Sequence, residues 1–574
     1  MFKRSSSRRD FLSASGMGMA GIAATSSERA FAVLGSQSPD LIVYNATVYT
    51  VDPQLPIAQA FGVKNGRFIL VGSNDEVRSI AGSGTQMLDA GGATIVPGFN
   101  DAHIHADGET LLYQVLVGNP FEVEFVTIDS IIQKLRARAQ QTAPGYWVSG
   151  YFYDDTKVKE GRLITRQDLD KVSTEHPVVV RHRGGHTSFY NSKAFELAGV
   201  TDGSPNPPGG EFFHDASGAL SGRVAERANA VLTKVGKRET FTPAKAAERA
   251  KAGAAHFSKQ LVRYGVTSVQ CGARQFADMK ALQEIRVEGQ LRHRVNLEVA
   301  GEMLEGMITN GVKSGFGDEW IRLGATSENA VDGSFSERTA RLSGGYPGIK
   351  PPYFGIMVQP QDGLNAWAER CHLAGIRLNC HANGDVGIDA ALQAYELALK
   401  ARPDTNSRFK ITHCTILNDD LLRRIKAMGA VPAPFTTYTY YNSDKFRYYG
   451  KEIMRMAMPF RSFIDYGITA AAGSDYGPGP FQPLMGIQGI VTRKGWDGSV
   501  WGENQKVTVA EAMKIYTLNG AYASKEEDDK GSISPGKLAD FVMLDKDLYR
   551  IDPNDILKTN ILKTFTGGQE VYEA

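Results

Sequence analysis

Cysteine is scarce: four in 574 residues. Cys271, Cys371, Cys380 and Cys414 all lie in the middle of the chain, and none stands in a Cys-x-x-Cys spacing. The spacing offers no cysteine metal cluster. Buried free thiols are the expectation, although pairing in an exported protein stays open. An excess of one charge is also missing. With 64 Lys and Arg against 63 Asp and Glu, the formal net charge is +1, which gives no footprint for nucleic acid. No internal run reaches the roughly 18 apolar residues that a membrane span needs. What remains, 42% hydrophobic and 22% charged, is an ordinary globular composition. The length suits two to four domains.

The N-terminus departs from this plain background. Arg8 and Arg9 precede Phe11-Leu12 and a weakly apolar run rich in glycine and alanine, which closes on Ala30-Phe31-Ala32. The pattern is similar to a twin-arginine export signal. Residues 1–32 are therefore expected to be removed and the mature chain to be periplasmic or secreted; a disordered basic tail is the alternative. Without that segment the chain keeps 59 positive and 61 negative groups, a net charge of −2.

Beyond the signal, "DLIVYNATVYTVD" and "AFGVKNGRFILVG" read as strands, with Asn65-Gly66 as a hairpin turn. "GSISPGKLADFVMLDKD" and "ILKTFTGGQEVYEA" at the other end read the same way. Residues 33–97 and 526–574 are thus expected to form one composite β-sandwich domain. Between them strand-like and helix-like segments alternate, the signature of an α/β fold. Apolar strands are expected at 264–272, 293–301, 320–328, 375–384, 408–416, 428–435 and 466–475. With the strand entering His103 they number eight, which predicts a (β/α)8 barrel over 98–525. The stretch from about 107 to 260 is too long for one crossover and is expected to hold an inserted subdomain.

Histidine is also sparse, eleven in all, yet His103 and His105 stand one residue apart in "PGFNDAHIHADGE". In a strand, residues i and i+2 share a face, so both imidazoles aim at one point. His381 ends the fifth expected strand, His413 ends the sixth 32 residues later, and Asp475 ends the eighth 62 residues further on. Residues at the C-terminal ends of barrel strands converge on one mouth. Four histidines and an aspartate in that register predict a metal site. Imidazole and carboxylate suit Zn2+ first, with Mn2+, Fe2+ or Co2+ open. Asp475 is placed to serve as ligand and general base.

The segments "PGFNDAHIHADGE", "CHANGDVGID", "ITHC", "GSD" and "GKLADFVMLD" together resemble the metal-dependent amidohydrolase superfamily. "VDGSFSERTA" (331–340) is similar to a marker of its amidohydrolase-3 branch, which includes N-substituted formamide deformylases. The resemblance spans about residues 40–572 and implies a hydrolase with one or two divalent metals per chain, often a homodimer. Where relatives carry a metal-bridging carbamylated lysine, four residues before the marker's aspartate, this chain has Glu328. A glutamate bridging two cations directly is one reading; a mononuclear site with Glu328 turned away is the other. The resemblance also singles out His186, as a residue that polarises the substrate carbonyl or binds a polar group, or as a structural residue. Seven aromatics in 435–449, among them Tyr438, Tyr440 and Tyr441, would form a lid over an apolar or aryl substrate, or a subunit interface. "WVSGYFYDD" (147–155) would extend that wall. The implied reaction is cleavage of a C–N bond (amide, N-formyl or carbamate) in a small molecule. A lactone or ester hydrolase on the same residues, and a non-catalytic metal-binding protein, are the competing readings.

Overall fold

A computed structural model describes residues 38–574. The expected export signal, residues 1–32, lies outside the described residues. Two four-stranded parallel sheets occupy the centre. The first holds β1 (Phe99–Ile104), β2 (Val266–Ala273), β3 (Arg294–Val299) and β4 (Ile321–Thr326), in that order. The second holds the two-residue strand Asn329–Ala330, then β5 (Asn379–Ala382), β6 (Lys410–His413) and β7 (Val431–Ala433).

Backbone hydrogen bonds join the two sheets along both edges. On one seam, Thr326 N donates to Arg377 O at 2.7 Å. On the other, residues 470–475 lie between β7 and β1. Ala471 N donates to Pro432 O (3.0 Å) and Gly473 N to Pro434 O (3.1 Å). Ala102 N donates to Ala472 O (2.7 Å) and Asp475 N to His103 O (2.9 Å). Asn329–Ala330 continues β4 along the same neighbour, so this segment is the eighth, without becoming the regular strand expected over 466–475. Alanine, glycine and aspartate have little β-propensity, and Asp475 turns to φ 51°.

Each long strand has two kinds of face. Val269, Val295 and Leu297 point into the helical layer and share one core with Phe257, Leu261 and Ile285. Burying a side chain such as Leu261 is worth about 1.5–3 kcal/mol. The alternate positions Gln270, Asn296, Glu298, Asn379, Lys410 and Thr412 are buried too, but polar. The interior between the two sheets is therefore a hydrogen-bonded network.

Both ends of the described chain meet in one six-stranded sheet. Gln569–Glu573, Ile561–Thr566 and Phe541–Leu544 continue into Thr94–Pro97, Thr47–Tyr49 and Ile57–Ala58. A four-stranded sheet from residues 41–89 shares its core: the Phe61 ring lies 5.1 Å from Phe68 and 4.8 Å from Phe541. Asn65 (φ 48°) and Gly66 (φ 75°) make the expected two-residue hairpin between paired Lys64 and Arg67. Thr94–Pro97 leads through Gly98 directly into β1, so this sheet positions His103.

A six-stranded sheet lies between β1 and β2, running from Val115–Leu116 to Leu220–Glu226. The inserted material stops short of the expected residue 260. Thr242 caps a helix that starts with Pro243 and runs to Arg263, which serves as the crossover into β2. That helix lies directly against Gly108–Tyr113: a Cβ on Gly108 would fall 2.0 Å from Gly253 O.

Candidate metal centre

The strand ends deliver six side chains to one point. His103 lies within β1 and His105 just beyond it; Glu328 follows β4, His381 lies in β5, His413 ends β6, and Asp475 ends the eighth segment. Glu328 sits among the histidines. Its Oε1 is 3.3 Å from His105 Nε2, and its Oε2 is 3.4 Å from His103 Nε2, His381 Nδ1 and His413 Nε2. Asp475 Oδ1 lies 3.3 Å from His103 Nε2 and 3.1 Å from His105 Nε2. Of the two positions considered for Glu328, the structure takes the central one. His413 (φ 73°), its neighbour Cys414 (φ 44°) and Asp475 all hold left-handed backbone, a conformation costing about 1–3 kcal/mol each and typical of functional sites.

The electrostatics favour a cation at this point. Burial alone would raise the Glu328 carboxyl, but His103 and the other histidines hold it well below the usual range, and Asp475 is likewise held low. Burial alone would lower His103, yet Glu328, Asp475 and Glu298 raise it to about 9. Two buried carboxylates thus draw positive charge onto the imidazoles, charge that a divalent ion would otherwise supply. The donor atoms are also short of partners. His103 Nε2 and Glu328 Oε2 are closed off from solvent without a geometrically sound hydrogen bond. Convergent imidazole nitrogens and carboxylate oxygens fit a zinc-type divalent metal. His105 keeps 46% of its side chain accessible and Glu328 17%, while His103, His381, His413 and Asp475 are buried, so the centre is reached from the His105 and Glu328 side.

Residues that the sequence did not single out orient this cluster. Glu298, next to the C-terminal end of β3, stands 3.5 Å from His103 Nδ1 and pairs with Lys410 of β6; neither residue is exposed. His381 Nε2 lies 3.3 Å from Gly333 O, and a proton held there leaves Nδ1 free to face Glu328. Asp332, the aspartate of the "DGS" marker, accepts from Asn383 N, Gly384 N and Arg341 N, each at 2.8 Å, and so fixes the loop after β5. Burial nevertheless pushes its carboxyl up to about 6.

His186 comes from the inserted sheet, with its ring 4.7 Å from that of His381. Its Nδ1 is 2.8 Å from Glu226 Oε2. Burial works against its proton, but Glu226 outweighs that and raises it to about 10. The tyrosines divide. Tyr438 stacks on Phe435 (3.8 Å), which stacks on His413 (4.2 Å), so Tyr438 is a packed wall of the centre. Tyr441 lies behind it, under Arg183 and Lys157. Tyr440 is not brought to the cluster. Residues 438–441 form a helix, in which positions three apart share a face and 440 points elsewhere. The expected lid is a buried wall, with Tyr438 and Tyr441 both about 1% exposed. A second acidic group, Asp154, Asp155 and His182, is compact enough for an ion. Lys445, 2.9 Å from Asp154, and Arg338, paired with Asp155, already compensate it.

Histidines and carboxylates gathered at the C-terminal ends of parallel strands define a metal-binding centre of hydrolase type. Residues 86–572 match the amidohydrolase family, and the chain belongs to it. It is an enzyme of the hydrolase class that acts on C–N bonds. Over 549 residues it is 28% identical to a putative amidohydrolase, YtcJ, of Bacillus subtilis, covering 93% of this chain and 99% of that protein. Over 555 residues it is 26% identical to N-substituted formamide deformylase of Arthrobacter pascens, covering 94% and 99%. In fold it is similar to an uncharacterized metal-dependent hydrolase from Pyrococcus horikoshii, with a TM-score of 0.68 at 22% identity over 89% of this chain and 99% of that one.

Proposed function

We propose that this protein is an exported, metal-dependent hydrolase that cleaves an amide, N-formyl or carbamate C–N bond in a small apolar or aryl substrate. The observation that carries the reading is Glu328 standing between two histidine pairs, with Asp475 beside one of them. We read the eight hydrogen-bonded segments as a closed (β/α)8 barrel, and the two sheets at its base as a β-sandwich built from both chain ends. The export part rests on Arg8, Arg9 and the residues after them. The bond type is supported by similarity to the formamide deformylase.

His103, His105 and Asp475 would hold one divalent ion and His381 and His413 a second, Zn2+ in the first instance, with Glu328 shared. When bound, such ions supply Lewis acidity, polarising a carbonyl and acidifying water. Asp475 takes the proton of the attacking water and passes it to the leaving nitrogen. His186, held through Nδ1 by Glu226, presents Nε2 to the substrate carbonyl oxygen. The Phe435–Tyr438 stack supplies an apolar wall.

Elemental analysis of the purified protein beside Glu328→Ala tests the centre. Two metals falling to one or none support the shared glutamate; one metal in both proteins refutes it. Asp475→Asn should keep metal and lose about 10²–10⁴-fold in turnover of an N-formyl arylamine. Full activity in that variant would remove Asp475 from the chemistry.

A further inference from the structure

A cavity of about 260 Å3 opens against His105. Tyr151, Phe152 and Tyr476 form its apolar walls, and two arginines of the inserted sheet, Arg181 and Arg183, its polar side. The two arginines differ. Arg183 is committed: Nε donates to Gly477 O (2.9 Å), one terminal nitrogen donates to Asn119 O (3.2 Å) and to the Tyr441 hydroxyl, and the guanidinium lies 4.5 Å from the Tyr441 ring centre. Arg181 has no side-chain hydrogen bond or ion pair among the described residues; its close partner is the Tyr151 ring, 5.6 Å from the guanidinium carbon. Its Nε is closed to solvent and has no acceptor.

A guanidinium has five donors and no way to become neutral. One of those donors, Nε, is shielded without an acceptor, which is unfavourable, so this partly buried guanidinium suits an anion that comes and goes. The carboxylate lining the cavity, Asp107, does not fill that role. It caps its own helix, accepting from Thr110 N (2.9 Å) and Thr110 Oγ1 (2.6 Å).

We propose that Arg181 binds a carboxylate of the substrate. The substrate would be an amide whose apolar or aryl arm lies between Tyr151, Phe152 and Tyr476 and ends in an anionic group. This rests on the hydrolase reading above and adds a substrate class to it. The planar fork of arginine suits a carboxylate, which it can bind through two parallel bonds.

Two measurements test it. Calorimetry compares 4-aminobenzoate with its neutral match 4-aminobenzamide on the wild-type protein and on Arg181→Gln and Arg181→Lys. The carboxylate should bind about ten- to a hundredfold tighter to wild type. The preference should vanish in Arg181→Gln and survive in part in Arg181→Lys, which keeps the charge. Equal affinities in wild type, or a preference that persists in Arg181→Gln, would overturn the proposal; the wild-type result decides by itself if a variant does not fold. Turnover of 4-formamidobenzoate against 4-formamidobenzamide is the second readout, with the preference expected in KM. Hydrolysis of both without discrimination sinks the Arg181 proposal alone. Arg181-dependent binding with no hydrolysis of either sinks the N-formyl reading of the substrate and leaves the anion site standing.

Discussion

Lys410→Met is the sharpest probe of how the polar interior between the two sheets holds the histidine–carboxylate cluster. Lys410 and Glu298 are both wholly buried. The lysine Nζ donates to Ala102 O (2.6 Å) and Gln270 Oε1 (3.2 Å) and pairs with Glu298 Oε1. Burial alone would raise the Glu298 carboxyl, and Lys410 is the largest influence holding it below its ordinary value. Removing the lysine leaves that carboxylate with Asn379 Nδ2 at 3.3 Å and His103 at 3.5 Å. Breaking a buried ion pair on one side costs about 3–5 kcal/mol, most of it the uncompensated charge. Glu298→Gln with Lys410→Met removes both charges and should return most of that loss. Urea unfolding of chelator-treated protein reads the stability without a metal contribution. The double variant should still bind metal about 10–100-fold more weakly, because the group behind His103 Nδ1 has lost its negative charge. A cost below about 1 kcal/mol for Lys410→Met, or a double variant no more stable than the single, would refute the compensation argument.

Three further outcomes follow from the same structure. Burial pushes His293 down to about 3, and its Nδ1 lies 2.9 Å from Ser258 Oγ, which also accepts from Arg292 N. A folded value below the unfolded one, about 6.5, means full stability above pH 6.5 and loss as pH falls from 6.5 toward 3, up to roughly 5 kcal/mol; stability against pH should be flatter in His293→Gln, and parallel curves would exclude this residue. Gly108→Ala forces its Cβ onto the Gly253 carbonyl and should cost about 1–3 kcal/mol, seen as a lower unfolding midpoint. Glu226→Gln leaves His186 without its charged partner and should lower kcat about 10–100-fold at unchanged metal content; unchanged kinetics would make His186 a structural residue.

The convergence of His103, His105, His381, His413 and Asp475 was legible because strand ends carry their own register. His-x-His shares a face, and His381, His413 and Asp475 fall at intervals of one and two strand–helix units. Glu298 and Lys410 were not. In "NLEV" and "FKIT" a polar residue alternates with apolar ones, the pattern of a strand facing solvent, and only the enclosing sheets turn that face inward. The tyrosine segment misled for the opposite reason. Its aromatics are dense enough to suggest a lid, but helical spacing turns Tyr438 and Tyr441 inward and Tyr440 away. Arg181 offered no signal at all, because its meaning lies in partners it lacks.

The strand Thr94–Pro97 is flanked by Phe541–Leu544 from the far end of the chain and runs straight on into the segment bearing His103. A ribosome making this protein therefore releases the first ligand strand long before the strand that must lie beside its root. Until then Val96 and Phe99, both fully buried in the finished fold, have no complete surface to cover them. The nascent chain carries that exposed edge through most of its synthesis, so this architecture depends on protection from aggregation in a way that domains folding from their own N-terminus do not.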